Sequence, residues 1–183
     1  MADYYLISQL PSLDGLNDNT PLPITEEYFL ELCNRFLNKK ALGEVKKITL
    51  LPPMESEKKG NTLLDDWNKG ERNLRLALAK IRAEKMGKSL DIKTENLPTE
   101  LLKVATTATE IDNPLEAEYF LLQYRLQFLE TLRPMNGFSE EFIFYYGLKL
   151  KLINRIRSFD LDIGKSAYKN IYNSILNGDR LEA

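Results

Sequence analysis

The stretch "DNPLEAEYFLLQYRLQFLETL", residues 112–132, constrains the fold most. Asn113 is a helix N-cap, Pro114 suits the first helical position, where its missing N–H costs nothing, and Glu116 is placed as in a capping box. Pro134 stops the run. Between those marks Tyr119, Phe120, Leu121, Leu122, Tyr124, Leu126, Phe128, Leu129 and Leu132 are apolar nearly all round the helix. A helix without a polar face must be surrounded by others. The spacing therefore predicts an all-α fold with this segment at its centre.

The remaining segments supply the neighbours. Thr25 caps a helix with Glu26 and Glu27 in its first turn, and Tyr28, Phe29, Leu32, Cys33, Phe36 and Leu37 follow as one apolar stripe. Cys33 reads as a small core residue there, because its face carries no basic partner. Asn38 opens a short helix to about Ile48, closed by Pro52 and Pro53. "TELLKVATTATEI" follows Pro98 with a small-residue face of Leu101, Leu102, Ala105 and Ala108, its threonines weakening local helicity. Ser139 caps "FIFYYGLKLKLINRI", whose Lys149, Lys151, Arg155 and Arg157 complement the helix dipole. A last helix runs from about Lys165 to Leu176, with Ala167, Tyr168, Ile171, Tyr172, Ile175 and Leu176 at helical spacing and Asn177-Gly178 as its stop.

Around these helices, residues 12–24 and 52–62 read as loops, and residues 178–183 as a frayed tail. The opening "DYYLISQLPSL" suits an extended segment or a brief buried helix, and periodicity does not decide between them. The expectation is one helical domain over 1–183, a bundle of six or seven helices behind a short extended or irregular start.

Residues 67–88, "WNKGERNLRLALAKIRAEKMGK", pose the functional question. Wrapped at helical pitch, Trp67, Gly70, Leu74, Ala77, Leu78 and Ile81 share a sector roughly 100° wide, with Arg72, Arg75 and Arg82 together beside it. This is an apolar stripe with an arginine edge, suited to gripping a protein partner. Gly70 costs the helix about 1 kcal/mol relative to alanine, so either a close backbone approach or a helix start just after it is expected. Trp67, Arg72, Arg75 and Arg82 are the candidate partner-binding residues. Glu118 and Arg125 share a face of the central helix and are candidates for a structural polar network with Arg82 or Arg157. The alternative use of the basic helix, residues 71–88, is nucleic-acid binding through Arg72, Arg75, Lys80, Arg82, Lys85 and Lys88. A chain with 25 basic and 27 acidic residues lacks the positive excess usual for that role, so no nucleic-acid partner is expected.

Catalysis finds little support. The chain has no histidine, which removes the commonest metal ligand and neutral-pH acid–base group. Gly164-Lys165-Ser166 resembles the tail of a phosphate-binding loop, but Phe159 stands where that loop needs glycine. Asp160 and Asp162 read as a helix-start cap and a turn residue rather than cation ligands. Glu116 and Glu118 are two apart and face different ways. No enzyme activity, cofactor or metal is expected. With one cysteine, no signal segment and no apolar run near the roughly 20 residues that span a bilayer, the chain reads as cytoplasmic, without direct membrane insertion and reaching a membrane only through a complex.

Taken together, "YYLISQLP", "ERNLRLALAKIRAEKMG", "NPLEAEYFLLQYRLQFLE" and "FIFYYGLKLKLINRIRSFDLDIGKSAYKNIYNSIL" resemble an uncharacterised bacterial family encoded beside V-type (V/A-type) ATPase genes. The matching positions are Tyr4, Tyr5 and Pro11, then Trp67, Glu71, Arg72, Leu74 and Arg75, then Asn113, Pro114, Glu118 and Arg125. The resemblance implies a non-catalytic component whose partners are other V-type ATPase subunits. It is similar to the all-helical V-type ATPase component that sits on the membrane rotor ring and receives the central stalk, with a stator or assembly role equally open.

Overall fold

In the structure, a computed structural model, residues 2–15, 21–53, 62–88, 97–159 and 161–178 are described. They form eight helices and, among the described residues, no strand. These are α1 (Ala2–Gln9), α2 (Glu26–Phe36), α3 (Lys39–Lys46), α4 (Thr62–Lys85), α5 (Thr99–Glu110), α6 (Pro114–Thr131), α7 (Glu140–Arg157) and α8 (Leu161–Gly178). The all-α class read from the sequence holds. Parts of the expected loops and tail, residues 16–20, 54–61 and 179–183, lie outside the described residues.

The helix starts follow their caps. Thr25 Oγ1 accepts from the Tyr28 amide (3.2 Å), Asn38 Oδ1 from Ala41 (2.9 Å), Asn113 Oδ1 from Leu115 (3.0 Å) and Ser139 Oγ from Phe142 (3.3 Å). Each satisfies an amide that has no partner inside its helix. Glu116 does take part at the start of α6, but by accepting from the Asn113 side-chain amide at 3.1 Å. At the other end of α4, Gly87 adopts φ 65° and the Lys88 amide reaches back to the Ala83 carbonyl at 2.9 Å. That left-handed residue closes the helix where the sequence pattern breaks.

Three expectations need correction. The chain start is not extended or irregular: it is α1. Leu6 and Ile7 are both buried and Leu10 packs against the same core, which one helical face accommodates, whereas successive strand residues would point to opposite sides. Second, α6 is not the most enclosed helix. That is α7, which packs against α2, α3, α4 and α6 and is buried without interruption from Ile143 to Leu150. Third, α4 starts at Thr62, five residues before Trp67, so Gly70 lies inside it.

What packs close at Gly70 is a side chain. A Cβ placed there would run into the far edge of the Phe128 ring, and that ring stacks on Trp67 with centroids 6.0 Å apart. The glycine is what lets α6 lay its aromatic ring against α4.

Two apolar clusters result. One joins α1, α2, α3, the start of α4 and α7; the other joins Leu74, Ala77 and Leu78 of α4 with Leu101, Ala105 and Ala108 of α5. Helix α6 sends Leu122 and Leu129 into the first and Leu121 into the second. Its all-round apolar character therefore reflects service to two clusters. Cys33 is fully buried in the first, and loss of hydration pushes its thiol pKa up to about 12, consistent with an inert packing residue.

Candidate functional site: an arginine-lined cleft and an uncovered helix face

The cleft is bordered by a charge network centred on Glu71, which is itself buried. This residue stands at i, i+3 and i+7 with Leu74 and Leu78, so the turn of α4 that buries the leucines buries its carboxylate too, leaving it 3% exposed. Arg125 of α6 meets it bidentately: Nε donates to Oε2 at 2.9 Å and a terminal nitrogen to Oε1 at 3.0 Å. Arg75, one turn along α4, donates its Nε–H to the same Oε1 at 2.9 Å. On the far side Glu118 Oε1 accepts from both Nε (3.1 Å) and a terminal nitrogen (2.9 Å) of Arg155 on α7, and lies 3.9 Å from Arg125. Arg155 also sits over the Phe159 ring, 5.6 Å from its centroid. A chain of alternating charge thus ties α4, α6 and α7 together.

This network borders a cleft of about 500 Å³. Arg75, Arg82, Arg125, Arg155 and Glu118 form its polar part; Leu50, Leu51, Leu78, Leu121 and Leu122 form its apolar part. Arg82 is exposed, and its side chain makes no hydrogen bond or ion pair with any described residue. Arg72 lies partly buried and donates to the Pro53 carbonyl at 3.4 Å.

The predicted residues are thus sorted. Arg75, Arg82, Glu118 and Arg125 come together. Trp67 faces the interior rather than the surface: it is 1% exposed inside the first cluster, and its indole Nε1–H is buried without an acceptor among the described residues. The expected link between Glu118 and Arg125 exists but is loose, since each finds a nearer partner on another helix. Arg157 lines a different depression beside Gly15 and Tyr119, and Arg155 takes the place offered to it in the network. The basic groups of residues 71–88 do not form one free face either. Arg75 is held by Glu71, while Arg72 and Lys85 donate to backbone carbonyls, the latter to Thr109 at 2.8 Å.

Sequence reasoning missed two buried charges. Glu71 falls inside the apolar spacing of its own helix, which is the available signal. Lys149 sits within an otherwise apolar run of α7; its position suggests a dipole partner, yet it is 8% exposed and donates to Asp14 (2.5 Å), Glu130 (2.6 Å) and Tyr145 Oη (3.2 Å). Tyr145 donates to Glu130 at 2.7 Å. The hydrogen bond from Lys149, assisted by its charge and opposed by desolvation, lowers the Asp14 pKa. Desolvation raises that of Glu130, but bonds from Lys149 and Tyr145 outweigh it and the net direction is down. Desolvation and the bond to Glu130 push the Tyr145 phenol up to about 12. This cluster pins the loop after α1, α6 and α7 to one another.

The other feature is α8. Every described side chain from Gly164 to Leu176 is exposed. Tyr168, Ile171, Tyr172, Ile175 and Leu176 are between 47% and 67% exposed, with the two tyrosine rings stacked 6.1 Å apart. Gly164, Lys165 and Ser166 lie within this helix, so they form no phosphate loop. Asp160 and the side chain of Asp162 lie outside the described residues. Among the described residues no group of three or more acidic or thiol side chains could hold a metal, and no helix is long and apolar enough to cross a membrane.

No protein-family model matches the chain, and neither a curated protein nor a solved structure does.

Proposed function

We propose that the protein is a non-catalytic helical subunit or accessory protein of a V-type ATPase and docks on another subunit through α8. The observation that carries this reading is the apolar face of α8, which keeps an i, i+3, i+4 pattern and buries none of its described side chains in either cluster. A helix patterned for burial but left uncovered is the form taken by helix-in-groove ligands. Carrying each of its five large side chains from half-exposed to buried would contribute about 1 kcal/mol, enough together to drive a stable contact. Tyrosine and isoleucine anchors on an 18-residue helix about 27 Å long fit an apolar groove between helices of the partner. The partner's identity rests on the sequence resemblance to the family encoded beside V-type ATPase genes. Within such a complex the protein transmits force or position and makes no bonds.

The test is purification of the native protein from its source under gentle conditions, with identification of the chains that accompany it. V-type ATPase subunits are expected with the wild type and lost with Ile171→Asp plus Ile175→Asp, while the melting of the purified protein stays within about 1 °C because neither side chain supports the core. Recovery of the wild type alone would refute the proposal.

A further inference from the structure

The cleft between α4, α6 and α7 has more positive charge than its own structure uses. Among the described residues four guanidinium groups, those of Arg75, Arg82, Arg125 and Arg155, adjoin two carboxylates, Glu71 and Glu118, an excess of two positive charges. Donors are also in surplus, since a guanidinium offers five N–H groups. Among the described residues Arg75 commits only its Nε–H, and Arg155 leaves one terminal nitrogen uncommitted to Glu118. Both side chains are nearly half exposed, at 44% and 49%. Shared carboxylates fix Arg75, Arg125 and Arg155 in a row, so the donors are held in place before any ligand arrives. Arg82 adds a charge that nothing described neutralises. If these arginines served only to tie helices together, Arg82 would have no reason to border the same cleft.

We propose that this cleft binds a small molecule bearing a phosphomonoester on an apolar or flat body. A phosphomonoester carries about −2 charge at neutral pH and three acceptor oxygens, matching both the excess charge and the forked donors. The volume of about 500 Å³ falls within the range of small-ligand pockets. Leu50, Leu51 and Leu78 line the same space and give the ligand body a surface to cover. This inference is independent of the docking of α8, which lies on other residues.

Phenyl phosphate is a suitable probe, titrated calorimetrically into the full-length protein at low salt and pH 7.5. Saturable binding to one site is expected. Arg82→Gln should weaken it at least about tenfold without moving the melting temperature, since the Arg82 side chain makes no hydrogen bond or ion pair with a described residue. Affinity should fall between pH 7.5 and 5 as the ester, with its second pKa of about 6, gains a proton. Phenyl sulfate, a monoanion with the same body, should bind more weakly, and so should inorganic phosphate, which lacks the body. Absence of saturable binding, or equal affinity in the Arg82→Gln variant, would overturn the proposal. Tighter binding of a hexaglutamate peptide than of phenyl phosphate would overturn it in favour of a protein ligand.

Discussion

Replacing Glu71 by glutamine removes one charge and reshapes almost nothing, which makes it a sharp test of what holds α4 to α6. Both carboxylate oxygens are engaged: Oε2 by Arg125 Nε, and Oε1 by Arg125 and Arg75 together. A glutamine must turn its NH2 toward one of those positions and confront a guanidinium N–H there. The Arg125 side chain, 11% exposed, would keep one bond to the amide oxygen and, as a charged partner among the described residues, only Glu118 at 3.9 Å. Breaking a buried pair by removing one partner costs about 3–5 kcal/mol. The lower end applies here, because Arg75 can turn to water and Glu118 partly compensates Arg125. About 3 kcal/mol in a chain of this size corresponds to a fall in melting temperature of roughly 6–12 °C. Urea unfolding of Glu71→Gln, followed by circular dichroism, measures it directly. The companion variant, Glu71→Leu with Arg125→Met, leaves neither an uncompensated charge nor a large void. It should return to within about 1 kcal/mol of the wild type. Arg75→Gln alone should cost under about 1 kcal/mol, since its partner keeps Arg125. A Glu71→Gln variant within about 1 kcal/mol of wild type would refute the claim that this carboxylate is the hub of the network.

Two further outcomes follow from the packing. Gly70→Ala gains about 1 kcal/mol of helix propensity but drives its methyl into the Phe128 ring, an overpacking cost of about 1–3 kcal/mol, so the net change should run from neutral to about 2 kcal/mol destabilising; in a Phe128→Leu background, where the ring is gone, thermal melts should instead find Gly70→Ala stabilising. Lys149→Met should be markedly less stable than wild type at pH 7, with the gap narrowing in urea titrations below about pH 4: Asp14 and Glu130 have lowered pKa values, so the stability they gain from Lys149 is complete above the ordinary carboxylate range and is lost as pH falls through their depressed values. Against the opposing effect of desolvation the same bonds raise the Lys149 pKa, so on the alkaline side the gap should stay open until the pH rises above the ordinary lysine range.

The sequence by itself determined the helices after α1. Caps at Thr25, Asn38, Asn113 and Ser139 act on amides two or three residues away, and apolar spacing reports a local period, so both are legible without knowing the fold. It also pointed to the arginines of α4 as an edge for a partner and to Glu118 and Arg125 as charged groups that act between helices. Only the tertiary structure decided their partners, because an ion pair depends on which helix faces which. Arg155 rather than Arg157 meets Glu118, for these two arginines lie two residues apart and so on different sides of α7, and only the packing of α7 on α6 selects one. The same holds for Trp67, whose stripe could equally have faced a partner or the interior until Phe128 closed over it through the space left by Gly70. Conversely, α8 has the pattern of a core helix and no described side chain of it from Gly164 to Leu176 is buried. Periodicity states which face of a helix is apolar; only the arrangement of the other helices states whether anything in the same chain covers it.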